Sequence, residues 1–170
     1  MTRSHFILGG ARSGKSRRAL ALAEEVAKRP VFIATAEAWD DEMADRIERH
    51  KTERGPEWAT IEAPLELIAG LETAAAKGDV CVIDCLTLWL SNLMHHDRDV
   101  DAETERLCAA IAALSTPLIL VSNEVGLGLV PETPLGRAFR DAQGRLNQEV
   151  AKICDRVEFV VAGLPIALKG

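Results

Sequence analysis

The sequence lacks the cysteine spacing, the long apolar runs and the excess of positive charge that mark several common protein classes. Its cysteines, Cys81, Cys85, Cys108 and Cys154, form no C-x-x-C pair, and no Cys/His spacing resembles a zinc site. We interpret them as small buried hydrophobic residues in a reducing compartment. No apolar run approaches the roughly 18 residues of a membrane span, and the short stretch before Gly9 does not resemble a signal peptide. These absences predict a cytoplasmic protein without a membrane span.

The net charge of the chain is −6, from 26 acidic and 20 basic residues. A general nucleic-acid binder is more often basic, so we expect no nucleic-acid partner, although a local cationic site for a small anion remains possible. The chain has 170 residues, 48% of them hydrophobic, and no internal repeat, low-complexity tract or linker. The sequence therefore predicts one domain over residues 1–170 with a substantial core.

Short apolar runs alternate with longer helical patterns along the whole chain. This alternation predicts a three-layer α/β domain with a mostly parallel sheet. The predicted strands are His5–Leu8, Val31–Thr35, Val80–Asp84, Leu118–Ser122 and Arg156–Val161. The predicted helices are Lys15–Lys28, Asp41–Arg54, Leu65–Ala76, Leu86–Met94, Glu103–Leu114 and Pro134–Cys154, the last interrupted near Gly144.

A full Walker A motif lies between the first predicted strand and the first predicted helix. Glycines let successive backbone N–H groups converge on phosphate oxygens, and the start of the helix adds further N–H donors. In this motif Lys15 reaches the β- and γ-phosphates, and the Ser16 hydroxyl binds Mg²⁺. We therefore predict that the chain binds the phosphates of GTP or ATP through Gly9, Gly10, Ala11, Arg12, Ser13, Gly14, Lys15 and Ser16.

The strand Val80–Asp84 is apolar and ends in a carboxylate, as a Walker B strand does. Buried strands also end in Asp simply to start a turn, but beside a Walker A motif the metal role is favoured. We predict that Asp84 and Ser16 hold Mg²⁺ with the nucleotide.

Arg46, His50 and Arg54 are spaced four apart and would share one face of a helix. A solvated basic face is the simpler interpretation of this stripe. The sharper one is that the stripe faces a triphosphate. Nearby positive charge lowers the pKa of an imidazole, so His50 would be neutral and able to attack phosphorus. The residues alone leave both interpretations open.

Several segments in order resemble one family, the bifunctional adenosylcobinamide kinase / adenosylcobinamide-phosphate guanylyltransferases of cobalamin biosynthesis. The resemblance runs nearly end to end, and the spelling Gly-Gly-Ala-Arg-Ser is narrower than that of a general P-loop. The segments are Gly9–Ser16, Arg46-Ile-x-x-His50, Trp58–Glu62, Ile83–Leu93, Ser122–Pro131, Arg137–Asp141, Asn147-Gln148 and Gly163–Pro165.

The resemblance implies two reactions and a fold similar to RecA-type P-loop NTPases. A nucleoside triphosphate first phosphorylates the aminopropanol hydroxyl of adenosylcobinamide. The residue matching His50 then attacks the α-phosphorus of GTP and releases pyrophosphate, and its GMP passes to adenosylcobinamide phosphate, which gives adenosylcobinamide-GDP. The family also implies a homo-oligomer, a trimer.

The resemblance also assigns roles residue by residue. It makes His50 and Lys15 catalytic, and it reverses our first interpretation of Glu62 as an acid that merely opens the helix after Pro64. The nucleotide contacts that it adds to Gly9–Ser16 are Thr35, Ala36, Lys51, Thr52, Glu53, Arg54, Glu62 and Asp84.

Two alternatives remain at this point. A P-loop small-molecule kinase without guanylyl transfer would leave His50 as a surface residue, and a nucleotide-sensing module would bind without turnover. The loop that contains Gly126, Gly128 and Pro131 follows a strand at the ligand-binding edge of the sheet. We interpret it either as an ordinary turn or as a lid or substrate contact.

Overall fold

The computed structural model describes residues 3–37 and 54–170. Its centre is a seven-stranded sheet in the order β3-β2-β4-β5-β1-β6-β7. Every neighbouring pair is parallel except β6 and β7, which are antiparallel. The strands are β1 Ser4–Gly9, β2 Pro30–Ala34, β3 Ala59–Glu62, β4 Val80–Asp84, β5 Leu118–Asn123, β6 Arg156–Val161 and β7 Leu164–Lys169.

Five helices connect these strands in the described ranges, and they match the predicted ones to within a few residues. They are α1 Lys15–Glu24, α2 Leu67–Lys77, α3 Leu86–His95, α4 Val100–Ala113 and α5 Pro134–Ile153. The predicted break near Gly144 is wrong, because α5 continues through that residue. The predicted helix Asp41–Arg54 lies outside the described residues except for Arg54, which is in a bend.

Both faces of the sheet are covered, which confirms the predicted three layers. Phe6 and Leu8 of β1 point to one face and pack in a core cluster with α2, α3, α4 and α5. Ile7 points to the other face, where Ala19 and Ala23 of α1 cover it. A strand that is buried on both faces needs apolar residues at every position, and that is why the central strands could be predicted from their continuous apolar runs.

The two strands that the sequence did not predict, β3 and β7, lie at the edges of the sheet. β3 has four residues and β7 is exposed along its whole length. An edge strand has only one hydrogen-bonded neighbour and little buried surface, and β3, with the sequence Ala-Thr-Ile-Glu, carries no continuous apolar run. β7 does carry one, over residues 164–168, but it follows β6 after a turn of only two residues and was not predicted as a separate strand.

The parallel strands β1 to β5 place their carboxyl ends at one edge of the sheet. Gly9, Ala34, Glu62, Asp84 and Asn123 are the last residues of these strands. Ligands of open α/β sheets bind at this edge.

Candidate active site

The loop between β1 and α1 forms the centre of this edge, and its glycines are required by geometry. Gly14 has φ +97°, a backbone conformation that side-chain-bearing residues rarely adopt. A Cβ on Gly9 would lie 2.4 Å from Ser13 Oγ and 2.8 Å from the carbonyl oxygen of Val160. The loop can therefore turn tightly and present its backbone only with glycine at both positions.

Lys15 begins α1, and its side chain is buried within the loop. Its Nζ donates a hydrogen bond to the carbonyl oxygen of Gly10 at 3.0 Å. The pKa of the neighbouring Cys85 thiol is raised to about 11, chiefly by burial and also by the charge of Asp84, while the charge of Lys15 acts to lower it. Both charged groups act on the same thiol, so the Walker A residue Lys15 and the carboxylate of Asp84, at the end of β4, both lie near Cys85.

The turn between β6 and β7 supports the loop from outside. The Gly163 amide donates a hydrogen bond to the carbonyl oxygen of Ser13 at 2.8 Å. An added Cβ on Gly14 would meet the Gly163 Cα at 3.2 Å. The segment Gly163–Pro165 belongs to the resemblance, but neither its composition nor its spacing predicted a contact with the phosphate loop.

An ion pair holds the first turns of α1 against the sheet. Arg18 Nε and Nη2 donate to the two carboxylate oxygens of Glu158 on β6, each at 3.1 Å. Burial alone would raise the pKa of Glu158, but the hydrogen bonds from Arg18 and the nearby positive charges outweigh it and lower the pKa. The start of α1, whose N–H groups face the loop, is thereby fixed to the strand next to β1.

Thr35, which follows β2, is fully buried beside Asp84. Its hydroxyl donates to the carbonyl oxygen of Cys85 at 2.7 Å and accepts from the Cys85 amide at 2.9 Å. Asn92 of α3 donates to the carbonyl oxygen of Thr35 at 2.7 Å and to that of Pro64 at 3.0 Å. These bonds make the Thr35 side chain a brace for the backbone after Asp84 and place Ala36 at the same edge of the sheet.

A buried polar network that the sequence did not predict holds the carboxyl end of β5. The Asn123 amide donates to Thr87 Oγ1 at 2.8 Å, and its carbonyl oxygen accepts from Asn147 Nδ2 at 3.1 Å. Ser122 Oγ donates to Asn147 Oδ1 at 2.8 Å, and Gln143 Nε2 donates to the same Ser122 oxygen at 3.0 Å. A buried polar cluster is costly unless it is hydrogen-bonded, so this one fixes the end of β5 relative to α3 and α5.

Glu62 stands apart from the other predicted contacts. It ends β3, four strands from β1, which corresponds to roughly 19 Å at about 4.8 Å per strand. It therefore ends a strand and does not open the helix after Pro64. Its side chain lines an open cavity of about 390 Å³ together with Ile61, Ala63 and Pro64. The structure thus brings Gly9–Ser16, Thr35, Ala36 and Asp84 together, and leaves Glu62 at the far end of the same edge.

Arg54 is buried on the face of the sheet that α1 covers, beside the middle of β2. Its guanidinium carbon lies 3.7 Å from the centre of the Phe32 ring, and Nη2 donates to Thr60 Oγ1 at 3.5 Å. Trp58 packs edge-on against the same ring, with 6.4 Å between the ring centres. These contacts give the Arg54 side chain a place in the core, and its predicted nucleotide contact stays a prediction.

The remaining predicted site residues, His50, Lys51, Thr52 and Glu53, lie outside the described residues. The interpretation of the cysteines as buried residues is confirmed for Cys81, Cys85 and Cys154, whereas Cys108 is half-buried; all four are free. None of the helices in the described part of the chain is long and apolar enough to cross a membrane.

The fold matches those of solved P-loop NTPases. The chain superposes with a TM-score of 0.61 on an ATPase of the type III secretion system of pathogenic bacteria, at 10% identity, covering 97% of this chain and 56% of that one. It superposes on the RadB recombinase with a TM-score of 0.52 at 14% identity, covering 92% and 73% of the two chains. These likenesses confirm the predicted RecA-like α/β fold.

Two curated relatives are similar over nearly their whole length. The chain is 49% identical to the bifunctional adenosylcobalamin biosynthesis protein CobP of Pseudomonas aeruginosa, covering 97% of this chain and 96% of the relative. It is 38% identical to the bifunctional adenosylcobalamin biosynthesis protein CobU of Salmonella typhimurium, covering 96% and 98%. Residues 5–168 match the family described as cobinamide kinase / cobinamide phosphate guanyltransferase. The chain belongs to this family.

Proposed function

We propose that this chain, acting as a single catalytic domain, carries out both transfers of its family. The first moves the γ-phosphoryl group of ATP or GTP to the aminopropanol hydroxyl of adenosylcobinamide. The second moves GMP from GTP to the new phosphate and gives adenosylcobinamide-GDP and pyrophosphate. The observation that carries the proposal is the phosphate loop, in which a buried Lys15 follows a left-handed Gly14 at the start of a helix.

In the first transfer the residues act by positioning and by electrostatics. The backbone N–H groups of Gly9–Ser16 hold the phosphates, and the Lys15 ammonium neutralises charge that grows on the β- and γ-phosphate oxygens. The hydrogen bond from Gly163 to Ser13 and the ion pair between Arg18 and Glu158 keep the loop and the start of α1 in place. Little reorganisation is then needed when the phosphoryl group moves.

Mg²⁺ fits the oxygen donors at this site. The Ser16 hydroxyl follows Lys15 directly, and the carboxylate of Asp84 lies beside the same thiol as Lys15. No group of three or more His, Cys, Asp or Glu residues in the described ranges could hold a metal by itself. This suits Mg²⁺, which takes few protein ligands and completes its shell with phosphates and water. When bound, it would neutralise phosphate charge.

In the second transfer His50 would attack the α-phosphorus and hold GMP as a phosphoramidate. The attack requires a neutral imidazole, which flanking cations favour. Thr35, Ala36, Lys51–Arg54 and Glu62 would bind the nucleoside. The Glu62 carboxylate can accept hydrogen bonds from the N–H groups of a guanine. Adenine does not present N–H groups in the same arrangement. We also propose that the protein is a homo-oligomer, a trimer, as the family resemblance implies.

The guanylyl step is tested with GTP labelled at the α-phosphate. We expect acid-labile, alkali-stable label on the wild-type protein and none on His50→Ala. His95→Ala is the matched control, because His95 is an exposed histidine at the end of α3, and it should label like the wild type. If the label persists undiminished in His50→Ala, His50 is not the nucleophile. If the wild-type protein stays unlabelled but still phosphorylates adenosylcobinamide, the protein is a kinase without guanylyl transfer.

A further inference from the structure

We propose that Glu124 is the general base of the kinase step, the group that takes the proton from the acceptor hydroxyl. The proposal rests on the proposed function, since it assigns a residue to the first of the two transfers. It starts from the position of Glu124 directly after β5, the strand that lies between β1 and β4.

The backbone of Glu124 is joined to the phosphate loop. Its amide donates to the carbonyl oxygen of Gly9 at 3.1 Å. In the sheet, Asn123 pairs with Gly9 on one side of β5, and Val121 pairs with Asp84 on the other. Glu124 therefore leaves the sheet between the loop that would hold the phosphates and the acid that would hold Mg²⁺.

The Glu124 carboxylate is oriented by its own loop. Oε1 accepts from the Gly126 amide at 2.6 Å, and the described residues give Oε2 no hydrogen bond. The Gly126 carbonyl oxygen in turn accepts from Arg140 Nη2 at 2.5 Å. One carboxylate oxygen is thus held in place, and the other can receive a proton. A carboxylate held in this way can act as a general base for an acceptor hydroxyl that comes within hydrogen-bond reach of Oε2.

The loop that Glu124 opens also has the surface to receive a bulky acceptor. Leu127, Leu129 and Val130 are 81%, 96% and 63% exposed. Arg137 Nη1 holds the far end of the loop through the carbonyl oxygens of Pro131 and Glu132, at 3.1 and 2.7 Å. Aliphatic side chains on an anchored loop beside the phosphate site suit the methyl-rich corrin ring, whose hydroxyl arm would then reach Glu124.

Other carboxylates at this edge are less suited. Asp84 is placed as the Mg²⁺ ligand, and a metal-bound carboxylate is a weak base. Glu62 ends the edge strand β3, four strands away from β1. Glu37, which follows β2, lies 3.5 Å from His96 Nε2 and is paired with it.

A lone pair of the acceptor hydroxyl oxygen forms a bond to the γ-phosphorus, and the bond from that phosphorus to the β,γ-bridging oxygen breaks. The bond's electron pair leaves with the nucleoside diphosphate. The hydroxyl proton passes to Glu124 Oε2, and the carboxylic acid then releases it to water.

The test separates the two transfers in Glu124→Gln, whose amide oxygen can still accept from Gly126. We expect kcat for phosphorylation of adenosylcobinamide to fall about 10²–10⁴-fold, with KM for the nucleotide unchanged. Protein labelling by α-labelled GTP and GMP transfer to synthetic adenosylcobinamide phosphate should stay within about twofold of wild type. Glu132→Gln, an exposed acid on the same loop, should leave all three rates unchanged.

An unchanged phosphorylation rate in Glu124→Gln would overturn the assignment and leave the proposed function intact. Equal loss of all three activities would also overturn it, because it would indicate a structural role. Glu124→Asp gives a second measure, since a carboxylate on a shorter arm should recover part of the kinase rate that the amide loses. Wild-type protein that never phosphorylates adenosylcobinamide would contradict the proposed kinase function itself.

Discussion

The Gly163 amide donates to the carbonyl oxygen of Ser13, so the β6–β7 turn is part of the support of the phosphate loop. The contact is close enough that Gly14 could not carry a side chain without pressing on the Gly163 Cα at 3.2 Å. A hairpin near the end of the chain therefore helps to shape a loop near its beginning.

Gly14→Ala should weaken nucleotide binding at least about tenfold. A non-glycine residue in the left-handed region costs about 1–2 kcal/mol, and the added methyl group also meets Gly163. Equilibrium titration with a fluorescent GTP analogue measures the effect. Gly144→Ala is the control, because a Cβ there meets nothing within 4 Å and alanine favours the helix. Equal affinities for the two variants would contradict the loop geometry.

Asn92→Leu should lower the free energy of unfolding by about 2–3 kcal/mol. The substitution leaves the carbonyl oxygens of Thr35 and Pro64 without their donor in a buried position. Urea denaturation measures the change, and Ser91→Ala, an exposed neighbour on α3, should shift it by less than about 0.5 kcal/mol. A variant as stable as wild type would mean that Asn92 does not brace this edge.

Glu158→Gln should cost about 2 kcal/mol at pH 7, because it removes the charge that pairs with Arg18. The folded pKa of Glu158 lies below its ordinary value of 4.5. Its contribution is therefore complete above about pH 4.5 and is lost as the pH falls through the folded pKa. Denaturation at several pH values should show the difference between wild type and variant shrinking toward acid. A stability difference between wild type and variant that grows toward acid would contradict the lowered pKa of Glu158.

The native protein should react slowly with a thiol reagent at pH 8. Burial raises the pKa of Cys81 and Cys154 to about 12 and that of Cys85 to about 11, so little thiolate is present at these positions. Cys108, half-buried, should react first. Release of thionitrobenzoate from a disulfide reagent, followed with and without denaturant, measures this. Rapid modification of Cys85 would show that the edge beside Asp84 is open to solvent.

The sequence predicted the parts of the fold whose physical requirements are local. β1, β4 and β5 are buried on both faces and are therefore mostly apolar, and the glycines of the phosphate loop follow from its tight turn. Contacts between distant segments have no such local signal. The Gly163 amide and the Glu158 carboxylate reach the site only because β6 pairs with β1.

Burial also gives Arg54 an environment that its sequence spacing did not predict. Arg54 was predicted to share a helical face with His50, but it lies in a bend and stacks on Phe32. A spacing of four residues predicts a shared face only along a continuous helix, and Arg54 is not helical; His50 lies outside the described residues.

The central claim is that one chain with this phosphate loop also carries GMP on His50. Mass spectrometry of the intact protein after incubation with GTP and Mg²⁺, followed by peptide mapping under alkaline conditions, tests it most directly. We expect one added GMP per chain on the peptide that contains His50, and we expect its removal when adenosylcobinamide phosphate is supplied. An unmodified protein that nevertheless forms adenosylcobinamide-GDP, or GMP attached to another residue, would contradict it.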